Sequence, residues 1–247
     1  MGSLLRVDGE VTFHHNLYAH NNSRNPRPGT YGDPRGIHLD FRNNAIYDWV
    51  GAGYSSTDPV TMNYIGNYLK PGPSTIQRNR RIAFSIGGDT TRIYAEDNLL
   101  VDRETRVTDS WATIENATPL HRLGEPFAVI NITTDLPEEA FEKVIARAGA
   151  TLPQRDSVDA RVIEDVRKNT GRIINSQTEV GGWPDLAAGS IPPSDTDGDG
   201  MPDSWETANG LDPNDPNDGA QCPEGDGYTH LEDYLNSLVE KMEGKQE

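Results

Sequence analysis

Short alternations of apolar and polar residues, separated by turn residues, run through the first hundred positions. Val11 and Phe13, Leu39 and Phe41, Met62 and Tyr64, and Ile93 and Ala95 each occupy alternate positions of a segment rich in β-branched and aromatic residues. That pattern predicts strands with one buried face. An asparagine follows each pair at a constant offset (Asn16, Asn44, Asn67 and Asn98), and a second apolar run comes after each: Leu17-Tyr18, Ala45-Ile46-Tyr47, Tyr68-Leu69 and Leu99-Leu100. The asparagines are spaced by 28, 23 and 31 residues. A strand–turn–strand frame recurring at irregular intervals, with variable loops between, is the mark of a solenoid whose coils stack a continuous core. One amide per coil suits a ladder in which each asparagine donates to one neighbour and accepts from the other. Four unrelated turn asparagines are the alternative, and the matched apolar positions favour the ladder.

Beyond residue 110 the pattern changes. Trp111–Arg122 lacks the frame and reads as chain running over the solenoid surface. Asp135 reads as a helix cap, with Pro137 in the first turn and Glu138 and Glu139 near the positive end of the dipole. Phe141, Val144, Ile145 and Ala148 supply one apolar face, and Gly149 ends it. A second helix is predicted from Asp156, burying Val158, Val162 and Val166, with Gly171 beyond its end. The organisation that follows is stacked coils over 1–110, an extension with two helices packed on them over 111–186, and a linker of small residues and prolines over 187–194. An acidic module over 195–240 closes the chain and contains a terminal helix, Tyr228–Val239.

Three clusters carry candidate chemistry. After the first strand the chain breaks into Asn21-Asn22-Ser23 and delivers Arg24 and Arg27 around Pro26. Two guanidiniums three residues apart on a stiff loop suit a carboxylate-bearing ligand held through paired N–H donors, the plainer alternative being a strand end with two solvated arginines. His14, His15, His20 and His38 invite a metal reading, but adjacent strand residues point to opposite faces, so His14 and His15 are not expected to share an ion. The sharpest motif is Asp195–Glu206, with carboxylates at loop positions one, three, five, nine and twelve (Asp195, Asp197, Asp199, Asp203 and Glu206). Gly200 at position six permits a tight turn and Met201 at seven offers its carbonyl, which completes the oxygen set that Ca²⁺ takes. A weaker copy places Glu224, Asp226, Tyr228 and Asp233 at the third, fifth, seventh and twelfth positions. Cys222 stands where its first aspartate would be, and sulfur suits Ca²⁺ poorly, so this second site is expected to be weak or empty.

Charge narrows the partners. At 247 residues, the chain's net charge of −17 argues against nucleic acid as a partner, since phosphate binding needs a basic surface. An acidic protein acting on an acidic polymer must confine positive charge to its cleft or recruit divalent cations. Cys222 is the lone cysteine, which excludes an intramolecular disulfide. No apolar run approaches the length of a membrane span.

The run TFHHNLYAHNNSRNPRP followed by HLDFRNNAIYDW resembles the pectate lyase family, and DSVDARVIEDVRKNTGRIINSQTEVGGWP resembles the C-terminal segment of its bacterial members. The resemblance implies a mainly β protein, a right-handed parallel β-helix, and calcium-assisted β-elimination on α-1,4-polygalacturonate. In that family the arginine two residues before proline, Arg24 here, is the base that removes the proton α to the uronate carboxylate. A guanidinium is ordinarily protonated, so this role requires desolvation beside other cations. Many members carry a second substrate-binding arginine five residues later, where Gly29 stands, which leaves Arg27 or Arg35 to supply that charge. Gly2-Ser3-Leu4-Leu5 resembles an interior coil. The chain is therefore expected to be N-terminally shortened, with the aspartates of the catalytic calcium and a substrate-binding lysine lying upstream, and part of its machinery lost. It is read as a secreted or cell-surface monomer, its signal peptide outside this stretch. The acidic tail resembles bacterial thrombospondin type 3 and dockerin-like repeats, which implies a structural or attachment module. Two readings stand beside the lyase: a non-catalytic carbohydrate-binding solenoid, and an attachment protein whose solenoid is a spacer.

Overall fold

The structure, a computed structural model, describes residues 1–152, 154–184, 189, 191–223 and 227–243, the last four as backbone. The chain divides into two compact units. One comprises Met1–Thr151 with Arg155–Pro184, the other Leu152–Gln154 with Asp185–Glu247.

The first unit opens on β1 (Leu4–Arg6) and then repeats one path three times. The first pass is β2 (Gly9–His14), β3 (Leu17–Ala19) and β4 (Arg27–Gly29); the second is β5 (Ile37–Arg42), β6 (Ala45–Tyr47) and β7 (Gly53–Tyr54). The third is β8 (Val60–Ile65), β9 (Tyr68–Lys70) and β10 (Phe84–Ser85), and the chain continues through β11 (Thr91–Glu96), β12 (Leu99–Asp102), β13 (Thr105–Val107) and β14 (Ile114–Glu115). Strands at equivalent points of each pass pair with one another. The sheets run β11-β8-β5-β2, β13-β12-β9-β6-β3, β14-β10-β7 and β1-β4. Every pairing is parallel except the β12–β13 hairpin. The register sets Val11, Leu39, Met62 and Ile93 side by side, and likewise Phe13, Phe41, Tyr64 and Ala95. This is the alignment the apolar pattern predicts.

Stacking these rows makes the core. Ile37, Leu39, Phe41, Met62, Tyr64, Phe84, Ile93 and Leu100 are buried together, with the Phe41 and Tyr64 rings stacked 5.8 Å apart. At the corner between the first two strands of each pass, the residue before the ladder asparagine is left-handed: His15 (φ 54°), Asn43 (53°), Gly66 (62°) and Asp97 (52°). This kink exposes a backbone N–H to the interior, and the next asparagine answers it. Asn44 Oδ1 accepts from both the backbone N–H and the side-chain amide of Asn16, at 3.0 Å each. Asn67 takes the same pair from Asn44, and Asn98 takes it from Asn67. Each amide also donates to a strand carbonyl, on Phe13, Phe41 and Tyr64 respectively. The ladder satisfies buried groups that would otherwise cost free energy in every coil.

Several local expectations are corrected. The stretch 111–122 does more than cross the surface: Ser110 Oγ, just before it, receives the last ladder amide at 3.1 Å, and Ile114–Glu115 pairs with β10. Asp135 does not cap its helix. The helix α1 (Pro137–Arg147) begins after Leu136 with no side-chain cap, while Asp135 pairs with His15 at 2.9 Å and Lys143 at 2.6 Å, and its backbone bonds the Asn43 amide. Partners from distant coils outcompete the local cap. The helix α2 (Ser157–Lys168) does start on Asp156, whose carboxylate accepts from Val158 and Asp159 N–H. It buries Ile163 and Val166 against Tyr47 and Ile145, leaving Val158 and Val162 only half-covered. The chain is thus mixed: parallel sheets dominate to residue 115, and helices follow.

In the second unit, α3 (Asp203–Asn209) and α4 (His230–Glu243) bring Trp205 and Tyr234 to 5.4 Å. The terminal helix begins two residues later than predicted from the sequence and runs further. Glu224 and Asp226, and residues 187, 188 and 190 of the linker, lie outside the described residues.

Candidate functional site

A groove of about 710 Å³ runs along the outer face of the strip formed by β7, β10 and β14. In this strip Gly53, Phe84 and Ile114 point inward, and alternation turns Tyr54, Ser85 and Glu115 outward in one row. Tyr54 N–H donates to Pro26 O at 3.0 Å, which puts the row next to β4 and Arg27. Ser23, Tyr54, Arg78, Asn79, Ser85 and Glu115 are among the groove's lining residues; Arg24 and Arg27 are not, but lie at the end marked by Ser23 and Tyr54.

The Arg27 guanidinium sits 5.6 Å from the centre of the Tyr54 ring and donates to Ser56 Oγ at 3.4 Å. Aromatic contact of this kind holds a cation while leaving its other N–H groups available. Arg24 has left-handed backbone (φ 69°), its carbonyl accepts from Ser3 N–H at 2.9 Å, and its Nε is buried without a hydrogen-bond partner among the described residues. Between the two arginines, Asn25 is also buried with neither amide atom partnered. Unpartnered buried polar groups are uncommon in folded chains, and here they gather in one loop.

At Gly29 the space a side chain would take is already filled. A Cβ built there would meet Asp58 Oδ2 at 2.7 Å, and Asp58 is held by Ser56 Oγ at 2.9 Å. A carboxylate fills the space. Arg35 lies in the turn after β4, four-fifths exposed, and its guanidinium grips Asp33, which holds that carboxyl at about 2. The structure therefore brings Arg27 to the strip and leaves Arg35 on the rim of a turn. Tyr54, Arg78 and Glu115 were not singled out from the sequence: they come from three different passes, and only the register unites them.

The histidines depart from the strand argument. Because His15 is left-handed, alternation breaks and the Nδ1 atoms of His14 and His15 approach to 3.0 Å. His15 Nε2 is committed to Asp135, and His20 Nδ1 to the buried Asp48 at 2.7 Å. His15 thus ties its coil to the segment before α1, and His20, with Nε2 3.5 Å from Asp165, ties its coil to α2.

The acidic loop of the second unit is the other concentration of unusual groups. Asp195, Asp197 and Asp199 each bring an oxygen within 4.8 Å of the others, and so do Asp199, Glu206 and Asp218. Glu206 is fully buried and neither carboxylate oxygen has a partner among the described residues; one oxygen each of Asp197, Asp199 and Asp218 is likewise buried and unpartnered among them. Burial first, and then the neighbouring carboxylates Asp197, Asp199 and Asp218, push the Glu206 carboxyl up to about 7. Burial also raises Asp197. Asp203 behaves differently: hydrogen bonds from Ser194 and Thr196 occupy both its oxygens and hold its carboxyl below the usual range. Met201 is buried at the turn. Such a cluster of inward-facing carboxylates fits a hard cation. Of the weaker copy, Tyr228 is exposed and Asp233 lies in the first turn of α4.

No known protein-family profile matches the chain. It is 34% identical over 248 residues to a protein of Aspergillus flavus named probable pectate lyase C, aligning 96% of this chain with 56% of that one. Proteins of the same name from Aspergillus terreus and Emericella nidulans are 35% and 34% identical, again over 96% of this chain and 56% and 55% of their own length. These relatives are fungal, whereas the resemblance of the C-terminal segment had pointed to bacterial members. The chain is similar along nearly all its length to fungal proteins named probable pectate lyase C, and it spans about half the length of each.

Proposed function

We propose that the first unit is part of a pectate lyase, its passes winding as a right-handed parallel β-helix, and that it takes part in β-elimination of α-1,4-polygalacturonate. The observation that carries this reading is the Arg24–Arg27 loop, with its unpartnered buried nitrogens, set at the end of a groove on the outer face of stacked strands. The identity to the fungal relatives supports it.

In this reading a uronate residue lies at the Ser23–Tyr54 end of the groove. Arg27 pairs with its carboxylate, donating to the oxygens on which charge builds as the adjacent C–H breaks. Arg24 takes the C5 proton. The electron pair forms the C4–C5 double bond, the C4–O bond breaks, and the departing oxygen acquires a proton from solvent. Calcium, were it bound beside the uronate carboxylate, would supply the charge that makes the C5 proton more acidic. Arg35 is a second candidate contact for the polymer outside the groove. A polymeric plant substrate places the protein outside the cell, acting as a monomer.

The loop Asp195–Glu206 holds a structural Ca²⁺ through Asp195, Asp197, Asp199, the Met201 carbonyl and Glu206, with Asp203 at its edge. The unpartnered oxygens support this assignment.

The test is incubation with polygalacturonate and Ca²⁺ while following ultraviolet absorbance of the unsaturated product. Turnover is expected, and Arg24→Ala is expected to reduce it roughly 10²- to 10⁴-fold, the range for losing a proton-transfer residue, with unchanged circular dichroism. Absence of product from the parent chain refutes lyase activity for it; retention of polymer binding without product favours the carbohydrate-binding solenoid.

A further inference from the structure

Asp218 lies outside the twelve-residue loop and has no place in its ligand pattern. It sits twelve residues past Glu206, at the end of the Asp212–Asp218 turn, and is nearly fully buried. Its Oδ2 accepts from Asp212 N–H at 3.1 Å, which leaves Oδ1 buried and without a partner among the described residues. One of its oxygens lies within 4.8 Å of oxygens from both Asp199 and Glu206. The next residue eases the approach: a Cβ on Gly219 would stand 2.3 Å from Asp199 Oδ2, so any side chain there would push that carboxylate aside. Three carboxylates gathered in a shielded space repel one another strongly, and such an arrangement persists when a cation sits among them.

We propose that Asp218 is a direct ligand of the cation held by the Asp195–Glu206 loop, so that the ion fastens the 212–219 turn to that loop. The proposal rests on the calcium reading above and extends it. Asp199 belongs to both oxygen groups, so a single ion is reached from either side. Asp203, at loop position nine, where contact with the ion commonly runs through water, stays outside direct coordination. The consequence travels further, because Gly219 O accepts from Leu231 N–H at 3.1 Å and Gln221 O accepts from His230 N–H at 3.0 Å. Through these bonds the ion governs the start of α4 as well as its own loop. The twelve-residue motif thus becomes one half of a clasp whose other half is Asp218-Gly219.

The experiment compares the full chain with Asp218→Asn and Asp203→Asn by calcium titration calorimetry, with melting of the second unit followed in excess chelator and in excess Ca²⁺. Asn keeps the acceptor for Asp212 N–H and removes only the charge. Asp218→Asn is expected to weaken Ca²⁺ binding by on the order of tenfold or more, since affinity in such sites follows the number of charged ligands. Asp203→Asn is expected to change it less than about threefold, the smaller effect of a position that reaches the ion at most through water. In chelator, Asp218→Asn should melt at or above the parent temperature, because a like charge has been removed; in Ca²⁺ it should melt below. A purely structural Asp218 would lower both melts, and that result overturns the proposal. Parent-like Ca²⁺ affinity in Asp218→Asn also overturns it, while leaving the loop's calcium site intact. No Ca²⁺ binding by the parent chain would instead overturn the underlying calcium reading.

Discussion

Replacing Asn67 by alanine removes the most deeply enclosed rung of the asparagine ladder. The side chain is fully buried and makes four hydrogen bonds: it donates to Asn98 Oδ1 at 2.8 Å and Phe41 O at 3.1 Å, and accepts from Asn44 N at 3.0 Å and Asn44 Nδ2 at 3.2 Å. Two of the partners keep other bonds, since Asn44 Nδ2 still reaches Phe13 O and Asn98 Oδ1 still accepts from Asn67 N–H. The Asn44 backbone N–H does not, and it is left in the core. With the three other bonds at about 1 kcal/mol net each and the stranded donor at about 1–3 kcal/mol, the loss is roughly 4–6 kcal/mol. Asn16→Ala is the internal control. That residue is exposed, and its amide donates only to Asn44 Oδ1 and His14 O, so its truncation should cost about 1 kcal/mol. Urea unfolding followed by tryptophan fluorescence and far-ultraviolet circular dichroism measures both. A cost for Asn67→Ala within about 1 kcal/mol of that for Asn16→Ala would refute the view that the ladder is a cooperative support of the coils.

Two further perturbations test how the helices and loops are held. Lys70, on β9, donates to the Val166 carbonyl at 2.6 Å, and burial lowers its ammonium below the usual lysine range; Lys70→Met should cost about 1–3 kcal/mol and speed amide exchange near the end of α2, and unchanged exchange there would count against the contact. Arg80 makes two hydrogen bonds to Asp102, at 2.7 and 2.6 Å, which depress that carboxyl below its ordinary 3.8. The stabilisation is then complete above 3.8 and disappears as pH falls through the lowered folded-state value. The gap in urea midpoint between the parent and Arg80→Gln should therefore narrow below pH 4, down to what remains from the Arg80 bonds to the Gly72 and Thr75 carbonyls, and a gap independent of pH would contradict it.

The coils were legible because their signal is local and repeated. The pairs Val11/Phe13 to Ile93/Ala95 carry period-two alternation, and the asparagine marks the same corner each time, so the register follows from counting. The start of α2 at Asp156 was legible because the N–H groups its carboxylate meets lie only two and three residues on. Asp135 has equally good local credentials and fails, since His15, Lys143 and Asn43 reach it from elsewhere. The same limit hid the kink at His15: nothing in the strand pattern announces a left-handed residue, and that conformation decides where two imidazoles point.

By itself the sequence determined the stacked strands, the ladder, the Arg24–Arg27 loop and the spacing of carboxylates from Asp195 to Glu206. These are relations between residues whose separation along the chain is constant or short, so periodicity and offset encode them. Only the tertiary structure decided that Tyr54, Ser85 and Glu115 share one face, that Asp58 occupies the space beside Gly29, and that Asp218 turns back toward Glu206. Those groups meet because loops of unequal length close between coils or helices. The length and path of such loops are set by packing, which no single stretch of chain records.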